Sequence, residues 1–402
     1  MKAPLLTVPE AIRRLIGLMD PVGVETAPLA AADGRVLAET VRARRTQPPF
    51  PASAMDGYAV RDAEIAPGAV LRVTGEAQAG RRFPGAVGPG EAVRIFTGAP
   101  VPKGADRILI QEDAETLEDG RIRVRERLDP ELYIRPAGTD FAEGAAMAAP
   151  RRLSPADVAL AAAMNLASLP VRRRPVVALI PTGDELVEPG ETPGPDQIVS
   201  SNVYGVAAVL ARQGADPRIL PVARDTVESL DAALSAARAL PADLIVTLGG
   251  ASVGERDQVA AAAGAAGLAL QFHRIAMRPG KPLLAGRLGA VPMIGLPGNP
   301  VSAMVCAHVF LRPAVDALLG LPAGPLPREW ARLLAPVGPT GPREHYARAR
   351  LGRAPCGGLG VTVAGRQDSS LLSVLAAADA LAVLPAGAPW LPEGAPVEII
   401  RL

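Results

Sequence analysis

The spacing of apolar residues predicts different kinds of structure in successive parts of the 402-residue chain. The first part reads as an amphipathic helix in which Ile12, Leu15 and Ile16 form one apolar stripe. Thr7 and Glu10 precede that stripe with the spacing of a capping box, so Thr7 is expected to cap this helix.

Ser154 and Asp157 begin a second helix in the same way, and its Ala-rich continuation extends to about Leu169. From about Arg45 to Ala137 the chain alternates apolar and polar residues over short segments, which predicts β-strands and turns. The clearest of these segments are VLRVTGEAQAG, EAVRIFTGAP, DRILIQED and RIRVRERL.

From Arg174 onward, apolar runs of strand length alternate with helical patterns. The expected strands are 175–180, 217–222, 243–248, 271–276 and 291–296. One helix covers 203–213 and closes at Gly214, and another covers 227–240 with Asp225 as its cap and Glu228 in its first turn. This order predicts an α/β unit with a mostly parallel sheet and right-handed crossovers.

After about Leu321, Pro and Gly separate short strands, and this pattern is typical of a small β-barrel or sandwich. The strands expected there are EHYARARL, GVTVAG, ALAVLP and PVEIIRL.

The composition of the chain excludes more classes of function than classes of fold. A formal net charge of +1 does not favour a nucleic-acid or membrane partner, although a local basic patch could bind small anions. Two cysteines without a CxxC pair and three histidines without HExxH spacing make a zinc site improbable, so a catalytic metal would be held by oxygens, as Mg²⁺ is.

His273, His308 and Cys306 fall in apolar patterns and are expected in the core, whereas His345 is treated as exposed. The N-terminal segment is broken by Pro, Glu and Arg, which fits neither a signal peptide nor a membrane span, and a cytoplasmic protein is expected.

The most informative segment is DLIVTLGGASVGERD, 243–257. A buried strand is expected to end at Thr247, and Gly249 and Gly250 follow at once, where backbone N–H groups can approach a ligand. Ligands bind at this edge of open parallel sheets, although a lone Gly-Gly would support only a tight turn.

Two further segments also follow strand-like runs. MRPGKP places Arg278 and Lys281 beside a glycine, as an anion site requires, and in GLPGNPVSA the residues Asn299, Pro300 and Ser302 lead into an apolar helix. Together with TLGGASVGERD, these motifs resemble the molybdopterin-binding domain of the molybdenum-cofactor synthesis proteins. PASAMDGYAV, 51–60, is similar to a second hallmark of one branch, the molybdopterin molybdenumtransferases of the MoeA and gephyrin E-domain type.

The resemblance spans nearly the whole chain and implies four domains and an elongated homodimer, with the active site between domains of different subunits. The expected units are a split N-terminal domain (1–44 and 138–173), a β-rich domain (45–137), an α/β molybdopterin-binding domain (174–321) and a C-terminal β-barrel (322–402).

Carboxylates follow the expected strand ends. Asp184 and Glu185 in PTGDEL are expected at the same sheet edge as Asp257, and acidic residues there can cap a helix or coordinate a cation. The resemblance implies that these three residues are catalytic and hold the metal, and it gives Asp225 a role at the site as well. Helix capping remains the alternative for Asp257 and Asp225.

The resemblance also implies contacts to the substrate from several segments. Arg274, Arg278 and Lys281 would neutralise phosphate and oxyanion. The family often has lysine at the positions of Arg274 and Arg278. Arginine keeps the positive charge but presents a planar guanidinium group in place of a compact ammonium group. Asp56 would be a catalytic carboxylate reaching across the cleft, whereas a turn Asp ordinarily binds its own backbone. The remaining residues expected to contact the cofactor are Thr97, Asp140, Thr247, Gly249, Gly250, Ser252, Pro297, Pro300 and Ser369. Asp368, Ser370 and Asp379 depart from the family pattern, which often has Gly, His and Asn.

The function implied by this resemblance is insertion of molybdate into adenylylated molybdopterin, with Mg²⁺-dependent release of AMP. One alternative is a molybdopterin adenylyltransferase, against which some 170 upstream residues count. Others are a nicotinamide-nucleotide amidohydrolase, for which no amidase domain is evident, and a gephyrin-like binding scaffold, against which the retained carboxylates count. A molybdopterin adenylyltransferase and downstream molybdoenzyme chaperones are the implied protein partners.

Overall fold

The computed structural model describes residues 5–249, 258–355 and 357–402, and for 258–261 only the backbone. The helices in this part of the chain are α1 (Val8–Ile16), α2 (Pro155–Ala163), α3 (Asn202–Gln213), α4 (Val227–Ala239), α5 (Gln258–Ala265), α6 (Pro300–Cys306), α7 (Arg312–Leu318) and α8 (Leu372–Ala376). A π-helical turn, Ala307–Leu311, joins α6 to α7, and three short 3₁₀ helices are Leu29–Ala31, Asp62–Glu64 and Gln111–Asp113.

The strands of the first half are β1 (Val24–Pro28), β2 (Val36–Leu37), β3 (Val41–Arg42), β4 (Ala52–Ser53), β5 (Gly57–Val60), β6 (Val70–Ala77), β7 (Glu91–Ile95), β8 (Arg107–Ile110), β9 (Ala114–Thr116), β10 (Arg121–Val124), β11 (Ile134–Arg135), β12 (Ala146–Met147), β13 (Arg151–Arg152) and β14 (Ser168–Arg172). Those of the second half are β15 (Val176–Pro181), β16 (Leu186–Val187), β17 (Ile198–Val199), β18 (Asp216–Ile219), β19 (Leu244–Leu248), β20 (Leu268–His273), β21 (Met277–Arg278), β22 (Leu284–Leu288), β23 (Val291–Leu296), β24 (Glu329–Leu333), β25 (Glu344–Arg353), β26 (Leu359–Val363), β27 (Ala380–Leu384) and β28 (Pro396–Arg401).

The capping residues were predicted correctly, but one helix is shorter than expected. Thr7 Oγ1 accepts from the backbone of Glu10, and Ser154 and Asp157 form a complete capping box. The continuation of α2 to Leu169 is wrong: the helix ends at Ala163, because Asn165 adopts a positive φ of 63° and the chain then forms β14, which pairs with β1.

The first half of the chain holds two main sheets. A four-stranded sheet in the order β1-β14-β2-β13 joins the N-terminal segment to the region after α2, and a six-stranded sheet has the order β8-β5-β7-β6-β10-β9. Arg152 in β13 donates to Asp316 in α7 over 2.8 Å, and so connects the first sheet to the second half of the chain.

A mixed six-stranded sheet in the order β18-β15-β19-β23-β22-β20 forms the centre of the second half. Its four strands β18, β15, β19 and β23 are parallel neighbours, which confirms the α/β prediction. β22 was not predicted, and it pairs antiparallel with both β23 and β20. Helices α4 and α5 cover one face of the sheet, and α3 with the α6–α7 helix covers the other.

Among the described residues, the helix Pro300–Leu318 has the length and apolar composition to cross a membrane, but most of it is buried inside the chain. Val301, Val305, Phe310 and Val315 belong to the largest cluster of buried apolar side chains, which also includes residues of α1 and of the C-terminal strands. It is therefore a core helix that holds several parts of the chain together.

The C-terminal strands confirm the predicted barrel. Strands β25, β26, β24, β28 and β27 are hydrogen-bonded in that order, and β27 pairs back with β25 to close the ring. β21 adds to β25 in parallel and thereby joins the barrel to the loop that follows β20.

The N-terminal end of the described chain reaches the same loop. Leu6 forms an isolated parallel bridge with Ile275, and its carbonyl oxygen accepts from Ala276 N over 2.7 Å. The segment before α1 therefore packs against the chain between Arg274 and Arg278.

Candidate active site

Three parallel strands end at the same level of the central sheet. Pro181 of β15 is in register with Leu248 of β19, which is in register with Leu296 of β23. Thr182 N donates to Leu248 O over 3.0 Å, and Gly249 N donates to Leu296 O over 3.2 Å. The loops that follow these strands therefore emerge together at the carboxyl edge, where open α/β sheets bind ligands.

Two glycines let these loops touch. Gly249 has a φ of 118°, and a Cβ built on it would lie 2.5 Å from both the carbonyl oxygen and Oγ1 of Thr182. A Cβ on Gly298 would lie 3.6 Å from the Cα of Gly249. Gly249 therefore has no room for a side chain against Thr182, whereas the contact at Gly298 is an ordinary van der Waals contact.

Three acidic residues, Asp184, Glu185 and Asp225, lie near one another beside this contact. Asp184 and Glu185 are exposed, and Asp184 Oδ1 accepts from Asp225 N over 3.1 Å. The pKa of Asp225 is raised, first by burial and then by the negative charges of Asp184 and Glu185. Mutual repulsion of this kind is relieved by a bound cation, so the cluster has the electrostatics of a cation site.

The predicted helix cap at Asp225 is wrong. Thr226 is the N-cap of α4: its backbone is extended, and its Oγ1 accepts from Ser229 N over 3.2 Å. Asp225 therefore lies one residue before the cap, and its side chain makes no capping hydrogen bond among the described residues.

The loop that carries Asp184 and Glu185 is held by Arg224. Nη1 of this arginine lies 3.0 Å from Asp184 O, 3.2 Å from Leu186 O and 3.5 Å from Gly183 O. One guanidinium nitrogen therefore binds three carbonyl oxygens of the segment 183–186, which carries both carboxylates.

A small enclosed cleft of about 50 Å³ lies against this edge, lined by Thr182, Glu185, Asn202, Gly298 and Pro300 among others. Asn202 Nδ2, at the start of α3, donates to Gly298 O over 2.7 Å and links α3 to the GLPGNP loop.

Thr247 and Pro297 lie deeper than the other expected contacts. Both are buried, and Pro300 is half-buried at the start of α6. Within the described chain, Thr247 Oγ1 has no hydrogen-bond partner although it is shielded from solvent.

The cationic residues lie on the loop between β20 and β22. Arg274 has a positive φ of 87°; its N donates to Leu283 O over 3.1 Å, and Ile275 N donates to Lys281 O over 3.0 Å. The loop therefore folds back on itself, and the exposed side chains of Arg278 and Lys281 come from its far end.

His345 lies opposite Arg278, and its expected exposure is wrong because it is buried. Burial, followed by the positive charges of Arg278, Arg348 and Arg343, lowers the pKa of His345 to about 4. The imidazole is neutral at pH 7, so the positive charge of this region comes from the arginines.

A loop of the barrel, 367–371, completes this side of the site. Ser369 O accepts from Val301 N, in the first turn of α6, over 3.0 Å. The buried side chain of Arg348 donates to Gln367 Oε1 over 3.1 Å and to the carbonyls of Asp368 and Leu371 over 2.9 and 3.3 Å. This arginine therefore fixes the loop against the α/β unit.

The three departures from the family pattern have structural partners. Asp368 Oδ1 accepts from both N and Oγ of Ser370, which lowers the pKa of Asp368, and Asp379 Oδ2 accepts from Leu351 N over 3.0 Å. Asp368 and Ser370 therefore stabilise the 367–371 loop, and Asp379 stabilises the end of β25.

Asp56 and Thr97 form a second cluster on the six-stranded sheet of the first half. Asp56 Oδ1 accepts from the backbone N and from Oγ1 of Thr97, each over 2.7 Å, and these bonds lower the pKa of Asp56. Asp140 lies on a neighbouring exposed loop, where its N donates to Gln47 O. Among the described residues, no hydrogen bond or ion pair links this cluster to the carboxylates of the strand edge.

Three expected site residues, Gly250, Ser252 and Asp257, lie outside the described residues. In the described part of the chain, no group of three or more metal-ligating side chains is arranged around one point.

Comparison with known proteins decides the family. Residues 6–165 match the family described as the MoeA N-terminal region (domain I and II), 178–317 match the probable molybdopterin binding domain, and 331–402 match the MoeA C-terminal region (domain IV). The chain is 40% identical over 339 residues to molybdopterin molybdenumtransferase 2 of Mycobacterium tuberculosis, which covers 81% of this chain and 83% of that protein. The chain belongs to the MoeA family.

The similarity to other proteins of this family covers more of the chain. The molybdopterin molybdenumtransferase of a Nostoc species is 33% identical over 393 residues, covering 94% of this chain and 88% of its own. The crystal structure of the MoeA protein of molybdopterin biosynthesis from Pyrococcus horikoshii has a TM-score of 0.82 at 29% identity and covers 99% of both chains.

Three residues that position this MoeA-family site were missed by the sequence reasoning. Arg224 holds the carboxylate loop, Asn202 joins α3 to the GLPGNP loop, and Arg348 fixes the Ser369 loop. Arg224 had a usable signal, since it directly precedes Asp225; Arg348 had none, because arginine in an alternating strand is ordinarily exposed.

Proposed function

We propose that the chain inserts molybdate into adenylylated molybdopterin at the carboxyl edge of its central sheet and releases AMP. Its membership of the MoeA family makes it a molybdenumtransferase of molybdenum cofactor biosynthesis, and neither an adenylyltransferase nor a binding scaffold is favoured. The observation that carries the proposal is that the acidic residues Asp184, Glu185 and Asp225 lie near one another beside the strand-end glycine loop.

The carboxylates suit Mg²⁺ as the metal of the reaction. Mg²⁺ is commonly bound by one or two carboxylates together with substrate phosphates, so Asp184 and Glu185, with Asp257 as a further proposed ligand, are an appropriate donor set. When bound, the ion would neutralise charge on the phosphoanhydride. The protein's own contribution is to hold the loop of Asp184 and Glu185 in place through Arg224.

We assign the opposite wall of the site to the cations. Arg278 and Lys281 are exposed on a folded-back loop, and Arg274 lies at the base of that loop. We assign molybdate and the phosphate oxygens to these side chains, since guanidinium and ammonium groups stabilise oxyanions that gain charge during transfer. Gly249, Gly250, Ser252, Thr247, Pro297 and Pro300 would contact the pterin and its phosphate.

The Asp56 cluster requires a second subunit in this proposal. No hydrogen bond or ion pair among the described residues links Asp56, Thr97 or Asp140 to the strand edge of the same chain, and we propose a homodimer in which they reach the partner's site. We further propose the four-domain division 1–44 with 138–173, 45–137, 174–321 and 322–402, a cytoplasmic location, and transfer of substrate and product to an adenylyltransferase and to molybdoenzyme chaperones.

The test is AMP release from adenylylated molybdopterin by purified protein with Mg²⁺, measured with and without molybdate. We expect release to depend on molybdate and to fall at least about 100-fold in Glu185→Gln, the size of effect seen when one transition-state contact is removed. Glu228→Gln, an exposed residue on α4 of the same unit, is the matched control and should keep full activity. Tight binding of substrate without molybdate-dependent AMP release would refute the proposal and indicate a carrier, and formation of an AMP adduct from ATP and molybdopterin would indicate an adenylyltransferase.

A further inference from the structure

A large groove runs between α3, the middle of the α6–α7 helix, and α8 with the last residues of the chain. Its volume is about 830 Å³, within the range of about 300–1,000 Å³ that is usual for small-molecule sites. Apolar side chains line its length: Val209, Met304, Leu372 and Leu375. It meets the strand-edge cleft at Ser201 and Asn202, and none of the carboxylates or cations proposed for molybdenum insertion lines it.

Two arginines give one end of the groove a positive charge. Arg212 and Arg312 both line it, and within the described part of the chain neither has an ion-pair partner. Arg312 Nε donates to Gln213 Oε1 over 3.3 Å, and Gln213 Nε2 in turn donates to Asp316 over 2.7 Å. Arg312 is therefore oriented by a fixed amide, while the rest of its guanidinium group is available to bind an anion.

The half-buried His308 supplies a shielded polar atom, Nδ1, at the same place. It lies in the π-helical turn Ala307–Leu311 and lines the groove, and its Nδ1 is shielded from solvent with no hydrogen-bond partner among the described residues. Burial, then the positive charges of Arg312 and Arg212, lower the pKa of His308 to about 4, so the ring is neutral at pH 7. A buried unpaired polar atom destabilises a protein unless a ligand satisfies it, and π-helical turns are frequent at functional sites.

We propose that this groove binds a small amphipathic anion, with a carboxylate, phosphate or sulfonate group between Arg212 and Arg312 beside His308 and an apolar body along Val209, Met304 and Leu372. The two uncompensated guanidinium groups select the charge. The apolar length of the groove selects a ligand larger than a free inorganic ion, since an apolar body gains by leaving water. The site lies outside the machinery proposed for molybdenum insertion, so it does not depend on that proposal.

The test uses 1-anilinonaphthalene-8-sulfonate as the anionic probe and N-phenyl-1-naphthylamine, the same ring system without the sulfonate, as its neutral counterpart. Fluorescence titration should show one sulfonate-selective site per chain. Arg312→Gln should weaken the binding of the sulfonate about tenfold, the effect of one lost charged hydrogen bond, and leave the neutral dye unchanged. Ala208→Trp, an exposed groove residue on α3, should block both dyes.

Arg238→Gln on α4 is the matched control, because it removes an exposed arginine from a helix that does not line the groove. Circular dichroism in the near ultraviolet should show that each variant keeps its packing, since loosely packed proteins also bind the anionic dye. The proposal is wrong if Arg312→Gln and Arg238→Gln bind the sulfonate equally, or if folded Ala208→Trp retains the site.

Discussion

Replacement of Gly249 by alanine tests the close contact of the strand-end loops. The residue has a φ of 118°, where a side chain costs about 1–3 kcal/mol in backbone strain. The new Cβ would also lie 2.5 Å from two atoms of Thr182, one of them a backbone oxygen that cannot rotate away. Displacing β15 from β19 at this point adds about 1–3 kcal/mol, as overpacking does in other cores.

The two effects together predict a loss of about 2–6 kcal/mol. Since 1 kcal/mol shifts Tm by about 2–4 °C for a unit of this size, Tm should fall by roughly 4–24 °C. Differential scanning calorimetry should show it in the transition that includes the central sheet, since a chain with several units need not unfold in one step. Molybdate-dependent AMP release should also fall, because the loop cannot keep its place between Thr182 and Gly298.

Gly264→Ala is the matched control, with the same change in the same part of the chain. Gly264 is exposed in α5, and a Cβ there would meet no atom within 4 Å. Alanine is favoured over glycine in a helix by about 0.5–1 kcal/mol, so this variant should be equal to the wild type or slightly more stable. An unchanged Tm in Gly249→Ala, or equal falls in both variants, would show that the loop contact does not have the stated geometry.

Three further predictions concern charged groups. Arg224→Gln should lower kcat/KM for AMP release about tenfold at nearly unchanged Tm, because the carboxylate loop loses its shared charged donor; a change below twofold would contradict this. Thr97→Val should raise the pKa of Asp56 toward its usual value, as followed by NMR titration of the carboxyl carbon, whereas Thr97→Ser should not; since the folded pKa is depressed, the stability from this bond is present above about pH 4 and lost as the pH falls. His345 has a folded pKa of about 4, so the unfolded chain binds its proton first and stability falls between about pH 6.5 and 4; chemical denaturation of His345→Gln should show a flatter pH dependence, and an identical slope would refute the assignment.

Local patterns were sufficient where the structure is decided locally. The caps of α1 and α2, the closure of α3 at Gly214, whose φ is 101°, and the strand 291–296 all follow from neighbouring residues. The adjoining run 284–288 was missed, because its register is set by pairing with β23 and β20 and its own sequence does not alternate.

The sequence predicted which segments contribute to the site, but it did not predict which of their residues contact one another. The acidic, glycine and basic motifs each stand after a strand, and parallel topology brings such ends to one edge. The meeting of Asp225 with Asp184 depends on how the loop after β18 crosses that edge. His345 and Arg348 are buried together in β25, since one face of that strand lines the barrel and the other packs against the α/β unit, so an alternating pattern could not separate inside from outside.

The bridge from Leu6 to the segment after Arg274 has a consequence for biosynthesis. The N-terminal segment leaves the ribosome early, whereas Ala276, its backbone partner, is made some 270 residues later. Closing so long a loop has a large entropic cost, and we expect this contact to form after the more local contacts of the intervening sheets. We therefore expect the cationic loop to reach its final shape only when the beginning of the chain docks against it. A nascent chain cannot hold all three cations of that loop before residue 281 of the 402 has been synthesised.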